Sequence, residues 1–223
     1  SDITLFSARA ACSLAVRIVL EELDLAYEDR IVNIKAGETG APAFLAVNPK
    51  GRVPVLVTAT GDTLTEAPAI LVYLALSHAQ AGLLPADPLG HARALEWLSE
   101  LSGVMHGQGY GGLWRSNRFS DDPAAQDGIR ARAARTIADQ SARIDARLAG
   151  RDWALGDRYS VVDAFLLVFY LWGRRGGTDM AGLYPNWHAQ AERVLARPAV
   201  GGRGGPQPPA SIQLRRRLES PTA

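Results

Sequence analysis

Cysteine is almost absent from this 223-residue chain, and the single copy, Cys12, excludes an internal disulfide and any cysteine-rich metal site. No run reaches the ~18 apolar residues that a membrane span needs. The 24 basic and 23 acidic residues nearly cancel, leaving a net charge of +1, which indicates no nucleic-acid surface. The four histidines do not have the spacing of metal ligands; they are His78, His91, His106 and His188. We therefore expect no metal, no nucleic acid and no membrane among its partners.

The first residues also lack the basic and then apolar segment of a secretory signal. Hydrophobic residues make up 47% of the chain, which is enough to build a real core. From this length and composition we expect a soluble, cytoplasmic protein of one or two domains.

One stretch, Asn48–Leu56, carries prolines at positions 49 and 54 and predicts a tight loop that leads into a short apolar strand. Val53 stands before Pro54 and is therefore pushed to an extended conformation. Its N–H and C=O can then pair sideways with a ligand, as a sheet edge does. The same nine residues are equally compatible with an ordinary loop before a strand.

Before residue 80 the pattern alternates between short strands and helices. Apolar residues at helical spacing indicate the first helix, and Pro68 suits the first turn of the last one. The expected strands are 3–6, Arg30–Ile34, Val55–Thr58 and Thr63–Thr65, and the expected helices are Cys12–Leu23, Pro42–Ala46 and Pro68–His78. This β-α-β-α-β-β-α order predicts a small mixed sheet with helices on its faces, as in thioredoxin.

After a Gly- and Pro-containing linker at 80–88, the chain shows only helical patterns. Ser160 and Asp163 have the spacing of a capping box, and we expect Asp163 to serve folding and not chemistry. The expected helices are His91–Met105, Asp122–Leu148, Ala164–Trp172 and Trp187–Ala196. From Gly201 the composition becomes rich in Gly and Pro and then basic, so residues 201–223 are expected to form a separate tail.

These features together resemble the glutathione S-transferases: a strand, a loop, a cysteine opening a helix, an Asn-Pro loop running to Val-Pro, and Thr-Glu before another helix. The segments Ala11–Leu14 and Val47–Pro54 look most like the bacterial beta class. The resemblance implies an α+β protein with an N-terminal thioredoxin-like domain (1–80) that binds glutathione, followed by an all-α helical domain (88–200) for the second substrate. It also implies a homodimer.

Cys12 stands where a helix begins, and the unpaired N–H groups and helix dipole there favour a thiolate. A buried structural cysteine is the alternative, but the resemblance places the active cysteine of the beta class here. Arg9 could add positive charge, although Arg9-Ala10 replaces the family's usual Pro-Gly, and Ser7 stands where a tyrosine is common. Ala15 occupies the position of a second cysteine, so a two-cysteine redox cycle is excluded.

The resemblance assigns glutathione binding to several residues of the first domain. Glu66 would pair with the γ-glutamyl ammonium, and the Ala67 N–H would receive the carboxylate. Glu66 could instead be a simple first-turn helix acid. The expected glutathione contacts are Lys35, Val53, Pro54, Glu66 and Ala67, although a solvated surface lysine is an equal reading of Lys35.

His106 lies nine residues after Trp97, where beta-class relatives have a histidine facing the thiol. Its imidazole could share a thiol proton near neutral pH. Ser99 stands where relatives often have an asparagine that reaches the neighbouring subunit's glutathione. The glycines after His106 make a regular helix unexpected there. The residues expected to line a second-substrate pocket, with core packing as the alternative, are Ser7, Arg9, Tyr110 and Trp114.

We therefore expect a glutathione transferase that uses glutathione as a co-substrate and conjugates its thiolate to a small hydrophobic electrophile, with Cys12 and His106 as the catalytic residues. A glutathione-dependent thiol–disulfide exchange enzyme that uses Cys12 is one alternative. A non-catalytic ligand-binding protein of the same fold is another. An isomerase of the zeta type fits less well, because Ala10-Ala11 replaces the Ser-Ser of that class, although Val16–Ile18 resembles it.

Overall fold

A computed structural model describes residues 3–201 of the chain. The predicted tail at 201–223 therefore lies, beyond Gly201, outside the described residues. Contacts group the chain into two compact units, one built from the residues up to Ala86 together with the segment from Glu192, the other from Asp87–Ala191. The predicted domain boundaries stay a prediction, because compact units are defined by contacts and not by independent folding.

The first unit contains a four-stranded sheet with the order β2-β1-β3-β4. Its strands are β1 (Ile3–Ser7), β2 (Tyr27–Ile31), β3 (Val55–Val57) and β4 (Thr63–Thr65). β1 runs parallel to β2 and antiparallel to β3, and β3 runs antiparallel to β4. The prediction for the second strand, Arg30–Ile34, was wrong by three residues. Its limits are set by pairing, because the ladder with β1 runs from Tyr27 to Ile31 and ends where β1 ends.

Helices cover the sheet, as the β-α-β-α-β-β-α order predicts. Apolar residues of the sheet and of the two long helices are completely buried, among them Leu5, Val19, Leu56 and Leu71. The helices of this unit are α1 (Ser13–Glu22), α2 (Pro42–Leu45) and α3 (Ala67–Ser77), with 3-10 turns at Glu38–Gly40 and Ala79–Ala81, and α10 (Pro198–Gly201) near its end. The thioredoxin-like arrangement expected for this half is confirmed.

The second unit is helical, as expected for the second half of the chain. Its elements are α4 (Pro88–Glu100), a π-helical segment (Leu101–Tyr110), α5 (Gly111–Trp114), a 3-10 turn (Ser116–Arg118), α6 (Pro123–Leu148), α7 (Val161–Arg175) and α8 (Met180–Leu183), and the chain leaves the unit within α9 (Pro185–Leu195). The predicted capping box is present at the start of α7, where Ser160 and Asp163 each bond to the other's backbone.

The helix predicted at His91–Met105 is longer than expected, because the chain stays helical from Pro88 to Trp114. The glycines that follow His106 do not end it. A Cβ at Gly109 would stand 2.9 Å from the Ile137 side chain, and one at Gly112 would stand 2.9 Å from Ala133. The glycines therefore let this helix approach α6 closely, while the turns between Leu101 and Tyr110 widen to the π form.

Within residues 3–201, no helix is long and apolar enough to cross a membrane. The same residues contain no group of three or more His, Cys, Asp or Glu side chains arranged to hold a metal ion.

Candidate functional site

Three predicted segments leave the sheet at the same end. Phe6, near the end of β1, is in register with Val55 at the start of β3, and Val55 is in register with Thr65 at the end of β4. The loop after β1 leads to Cys12, the loop before β3 contains Val53 and Pro54, and β4 leads directly to Glu66. The sheet register therefore brings these parts of the predicted glutathione site to one edge of the first unit.

Cys12 lies at the first turn of α1, at its N-cap position, and its residue surface is only 7% exposed. The loop before it is closed by the Ser13 hydroxyl, which lies 3.1 Å from both the N–H and the carbonyl oxygen of Ala8. Ala10 adopts a positive φ of 55° within this loop. The Cys12 thiol is thus fixed at a helix N-terminus, where the helix dipole favours a negative charge. Arg9 is exposed in the same loop.

Ser7 is not available to a substrate in this arrangement, so its expected place in the second-substrate pocket is corrected. The residue is completely buried, and its hydroxyl donates to Asp29 over 2.5 Å. Arg17 donates to the Ser7 hydroxyl (2.8 Å) and to Asp29 (2.6 Å). The Ser7 hydroxyl, the Asp29 carboxylate and one Arg17 N–H group satisfy one another here, while Arg17 Nε is buried without a partner among the described residues. The cluster holds the end of β1 against α1.

Glu66 has an unusual conformation for the residue that opens a helix. Its φ is 71° and its ψ is 118°, and its side chain caps no N–H group of α3. The N–H groups of Ala67 and Ala69 have no hydrogen-bond partner among the described residues, and Pro68 has no N–H to offer. A strained backbone beside unpaired helix donors is typical of a ligand site.

The loop before β3 is organised by Asn48, which is 2% exposed. Its side-chain amide donates to the Arg52 carbonyl (2.7 Å), and its side-chain oxygen accepts from the Lys50 N–H (3.1 Å). The Val53–Pro54 peptide bond that follows is cis. Among the described residues no hydrogen bond uses the Val53 backbone, which leaves its N–H and C=O for a partner.

Lys50 is a neighbour of Glu66 that the sequence reading did not single out. Its Nζ atom lies 2.8 Å from Glu66 Oε1 and 2.9 Å from Thr65 Oγ1. The sequence shows a lysine inside the Asn-Pro loop, but not its partners. Those partners, Thr65 and Glu66, are brought close to the loop by the pairing of β3 with β4. Lys35, the predicted glutathione lysine, lies exposed in the turn after Val32.

In the second unit, the π-helical segment carries His106 and Tyr110 into an aromatic cluster. The His106 ring lies 5.5 Å from that of Trp172, and Tyr110, Trp114 and Trp172 form a triangle of ring centroids 4.7–5.0 Å apart. Burial raises the pKa of the Tyr110 hydroxyl to about 12, and Tyr184 adds to the shift. Trp114 is 52% exposed, so the cluster has an accessible aromatic edge.

His106 and the aromatic residues belong to a different unit from Cys12 and Glu66. The expected approach of His106 to the thiol therefore stays a prediction. Ser99 lies exposed on α4, and its expected reach to a neighbouring subunit also stays a prediction.

The first unit is thioredoxin-like, and one end of its sheet carries the cysteine loop, the exposed backbone of Val53 and the acidic residue at the uncapped start of α3. Followed by a helical unit, this is the two-part architecture of the cytosolic glutathione transferases. Two family models match the chain: "Glutathione S-transferase, N-terminal domain" over residues 1–76 and "Glutathione S-transferase, C-terminal domain" over residues 123–198.

Two curated relatives cover most of the chain. Glutathione S-transferase GST-4.5 of Xanthomonas campestris pv. campestris is 32% identical over 80% of this chain and 86% of its own length. The maleylacetoacetate isomerase of Pseudomonas aeruginosa is 30% identical over 86% of this chain and 90% of its own length.

Solved structures show the same architecture. A sphingomonad glutathione S-transferase complexed with glutathione is 36% identical, with a TM-score of 0.79 over 97% of this chain and 100% of that one. A bacterial beta class enzyme from Sphingomonas chungbukensis is 33% identical, with a TM-score of 0.78 over 96% of this chain and 98% of that one. The chain belongs to the glutathione S-transferase family of enzymes, and the predicted likeness to the beta class is confirmed.

Proposed function

We propose that this enzyme binds glutathione at the sheet edge of the first unit and conjugates its thiolate to a small hydrophobic electrophile. The observation that carries the proposal is Glu66, an acidic residue with a strained backbone beside two unpaired helix N–H groups. A γ-glutamyl group offers an ammonium for the Glu66 carboxylate and a carboxylate for those N–H groups. The relative complexed with glutathione supports the choice of ligand.

The remaining contacts follow from the chemistry of glutathione. The exposed backbone of Val53, held by Pro54, would pair with the cysteinyl peptide group as one strand pairs with another. Lys35 would reach the ligand from the turn after β2. The glutathione thiol would then lie near the start of α1, where the N–H groups and Cys12 could stabilise its thiolate.

In the conjugation step the glutathione thiol loses its proton, and the sulfur attacks the electrophilic carbon and displaces a leaving group. His106 would accept the proton, because an imidazole titrates near neutral pH. For the second substrate we propose contacts with the rings of Tyr110 and Trp114, since an apolar molecule favours aromatic surface. Arg9 stays a separate predicted contact in the first unit. The exposed edge of Trp114 supports this assignment.

We also propose a cytoplasmic homodimer. α3 presents Ala69, Tyr73 and Leu76 to solvent at the spacing of one helix face, and Tyr73 is 39% and Leu76 52% exposed. An exposed apolar stripe of this kind is typical of a contact between subunits. Sedimentation of Tyr73→Glu tests the dimer. A monomer is expected, because a charge buried in such a contact is costly, whereas an unchanged oligomer would place the interface elsewhere.

A second candidate function is isomerisation of a small substrate with glutathione as cofactor. It is favoured by the similarity to the maleylacetoacetate isomerase, which covers as much of the chain as the likeness to the transferases does. The position of Cys12 at the N-terminus of α1, which favours a thiolate, supports thiol–disulfide exchange as a further alternative.

The experiment is a steady-state assay of the purified protein with glutathione and three substrates: a chloronitrobenzene, a glutathione mixed disulfide and a maleyl ketone. Conjugation with release of chloride supports the proposal. Turnover of only the maleyl ketone, or of only the disulfide, assigns the corresponding alternative. Glutathione binding without any turnover would favour the non-catalytic ligand-binding protein.

A further inference from the structure

Lys50 and Glu66 form an exposed ion pair at the start of α3, and the Glu66 carboxylate in this pair is the group that we propose binds glutathione. Lys50 Nζ lies 2.8 Å from Glu66 Oε1, and the two side chains are 51% and 53% exposed. Pairs this open to solvent contribute little to stability, so folding alone does not account for a cation held at this position. Lys50 does not cap a helix, because its Nζ atom contacts the side chains of Glu66 and Thr65.

Ala67 leaves the carboxylate side of this site short of donors. An alanine has no hydroxyl, and the next residue, Pro68, has no N–H. Only the N–H groups of Ala67 and Ala69 are unpaired in this turn among the described residues. A ligand carboxylate has about four acceptor sites on its two oxygens, so a further donor close to Glu66 would be used.

We infer that Lys50 is a binding residue for the α-carboxylate of the γ-glutamyl group, in place of the side-chain hydroxyl that Ala67 lacks. The inference rests on the proposed glutathione site. Lys50 and Glu66 neutralise each other in the structure. A ligand that carries both an ammonium and a carboxylate can exchange both partners at once, since Glu66 takes the ammonium and Lys50 takes the carboxylate.

This exchange predicts the chemistry that the site selects. A ligand with only the ammonium, or only the carboxylate, would break the Lys50–Glu66 pair and leave one of the two charges without a replacement. The site should therefore favour zwitterionic γ-glutamyl thiols over analogues that lack either charge. Such analogues would be disfavoured because they leave Lys50 or Glu66 without a counter-charge, and not only because they lose a contact.

Calorimetry with three ligands tests the inference: glutathione, its analogue without the α-carboxylate (4-aminobutyryl-cysteinyl-glycine) and its analogue without the α-amine (glutaryl-cysteinyl-glycine). Lys50→Met should weaken glutathione binding about 5- to 10-fold. The decarboxylated analogue, which no longer has to displace Lys50 from Glu66, should bind the variant at least as tightly as the parent protein. Lys50→Arg, which keeps the charge, should retain most of the affinity. Arg52→Met removes an exposed cation from the same loop and serves as the matched control, with unchanged binding of all three ligands.

Two results would overturn the inference while leaving the proposed function intact. Equal or tighter glutathione binding by Lys50→Met would mean that Lys50 only competes for Glu66. An equal loss for glutathione and for the decarboxylated analogue would mean that Lys50 acts by placing Glu66. If the parent protein binds no glutathione, the proposed function and the inference fail together, and this outcome is distinct from the other two.

Discussion

Helices α3 and α7 each begin beside an acidic residue, and these two carboxylates are placed in opposite ways. At the start of α7, Asp163 is completely buried and accepts hydrogen bonds from Ala154, Ser160 and Gln190 at 2.8–3.0 Å. At the start of α3, Glu66 is exposed, caps nothing and has a φ of 71°. One carboxylate completes a buried network inside its own unit, while the other forms a solvent-exposed ion pair with Lys50.

We interpret the difference as one between a residue that serves folding, Asp163, and one that we propose serves binding, Glu66. A buried carboxylate with several donors stabilises the helix start, and removing it would leave those donors unpaired. A residue in a sparsely populated backbone conformation costs roughly 1–3 kcal/mol and persists where the surrounding structure enforces it, most often at functional sites. Acidic residues at helix starts therefore cannot be assigned a role from their position alone.

The largest effect that tests the comparison is expected at Asp163. Asp163→Ala should lower the free energy of unfolding by about 3–4 kcal/mol, because the Ala154 and Ser160 N–H groups and the Gln190 amide would be buried without acceptors. Urea-induced unfolding followed by tryptophan fluorescence measures it. Asp157→Ala, at an exposed position in the preceding loop, is the control and should change little. If Asp163→Ala changed the free energy of unfolding as little as Asp157→Ala does, Asp163 would not be a folding residue and would not differ from Glu66 in this way.

The next effect concerns binding. Glu66→Ala should weaken glutathione affinity by about 1.5–3 kcal/mol, the worth of a charge-assisted contact, and should leave the unfolding midpoint nearly unchanged. Calorimetry and a urea melt on the same sample give both numbers. Unchanged affinity in a folded variant would move the γ-glutamyl site elsewhere, and a large loss of stability would make Glu66 a folding residue like Asp163.

The smallest effect has the opposite sign. Glu66→Gly should raise the free energy of unfolding by about 0.5–1 kcal/mol, because glycine adopts a positive φ without the steric cost that a side chain adds. The same variant should bind glutathione as weakly as Glu66→Ala. If the Glu66→Gly variant is less stable than the parent protein, the side chain at residue 66 adds no strain to the backbone. The melting temperatures of the two variants, compared directly, decide between these results.

Much of the fold could be predicted from local pattern. Helical spacing located α1 and α6, Pro68 marked the first turn of α3, and the Ser160–Asp163 spacing identified the capping box. Each of these signals lies within one short stretch of the chain. The limits of β2 could not be predicted this way. They depend on pairing with β1, which is a contact between distant parts of the chain.

The site divides in the same manner. The resemblance to the family, together with their positions at helix starts, suggested Cys12 and Glu66. Ser7 was misjudged, because its burial depends on Arg17 and Asp29, which lie 10 and 22 residues away. Lys50 was missed because its partner Glu66 lies 16 residues along the chain and is brought near by the sheet.

The π-helical segment shows a further limit. Glycines at 109 and 112 indicated an irregular helix, but their effect is to allow close contact with α6, whose position no local pattern gives. The aromatic cluster around Tyr110 depends in turn on that segment, so its membership could not be predicted from spacing.

We propose that glutathione itself, and not Cys12, supplies the attacking sulfur, and the Cys12→Ala variant tests this proposal. Steady-state rates would be measured with a chloronitrobenzene and with a glutathione mixed disulfide. If Cys12 only positions glutathione, the N–H groups at the start of α1 and the proposed base His106 would still stabilise its thiolate. Conjugation should then stay within about tenfold of the parent rate while disulfide exchange falls to background. Loss of both activities to the same extent would contradict the claim and make Cys12 the nucleophile.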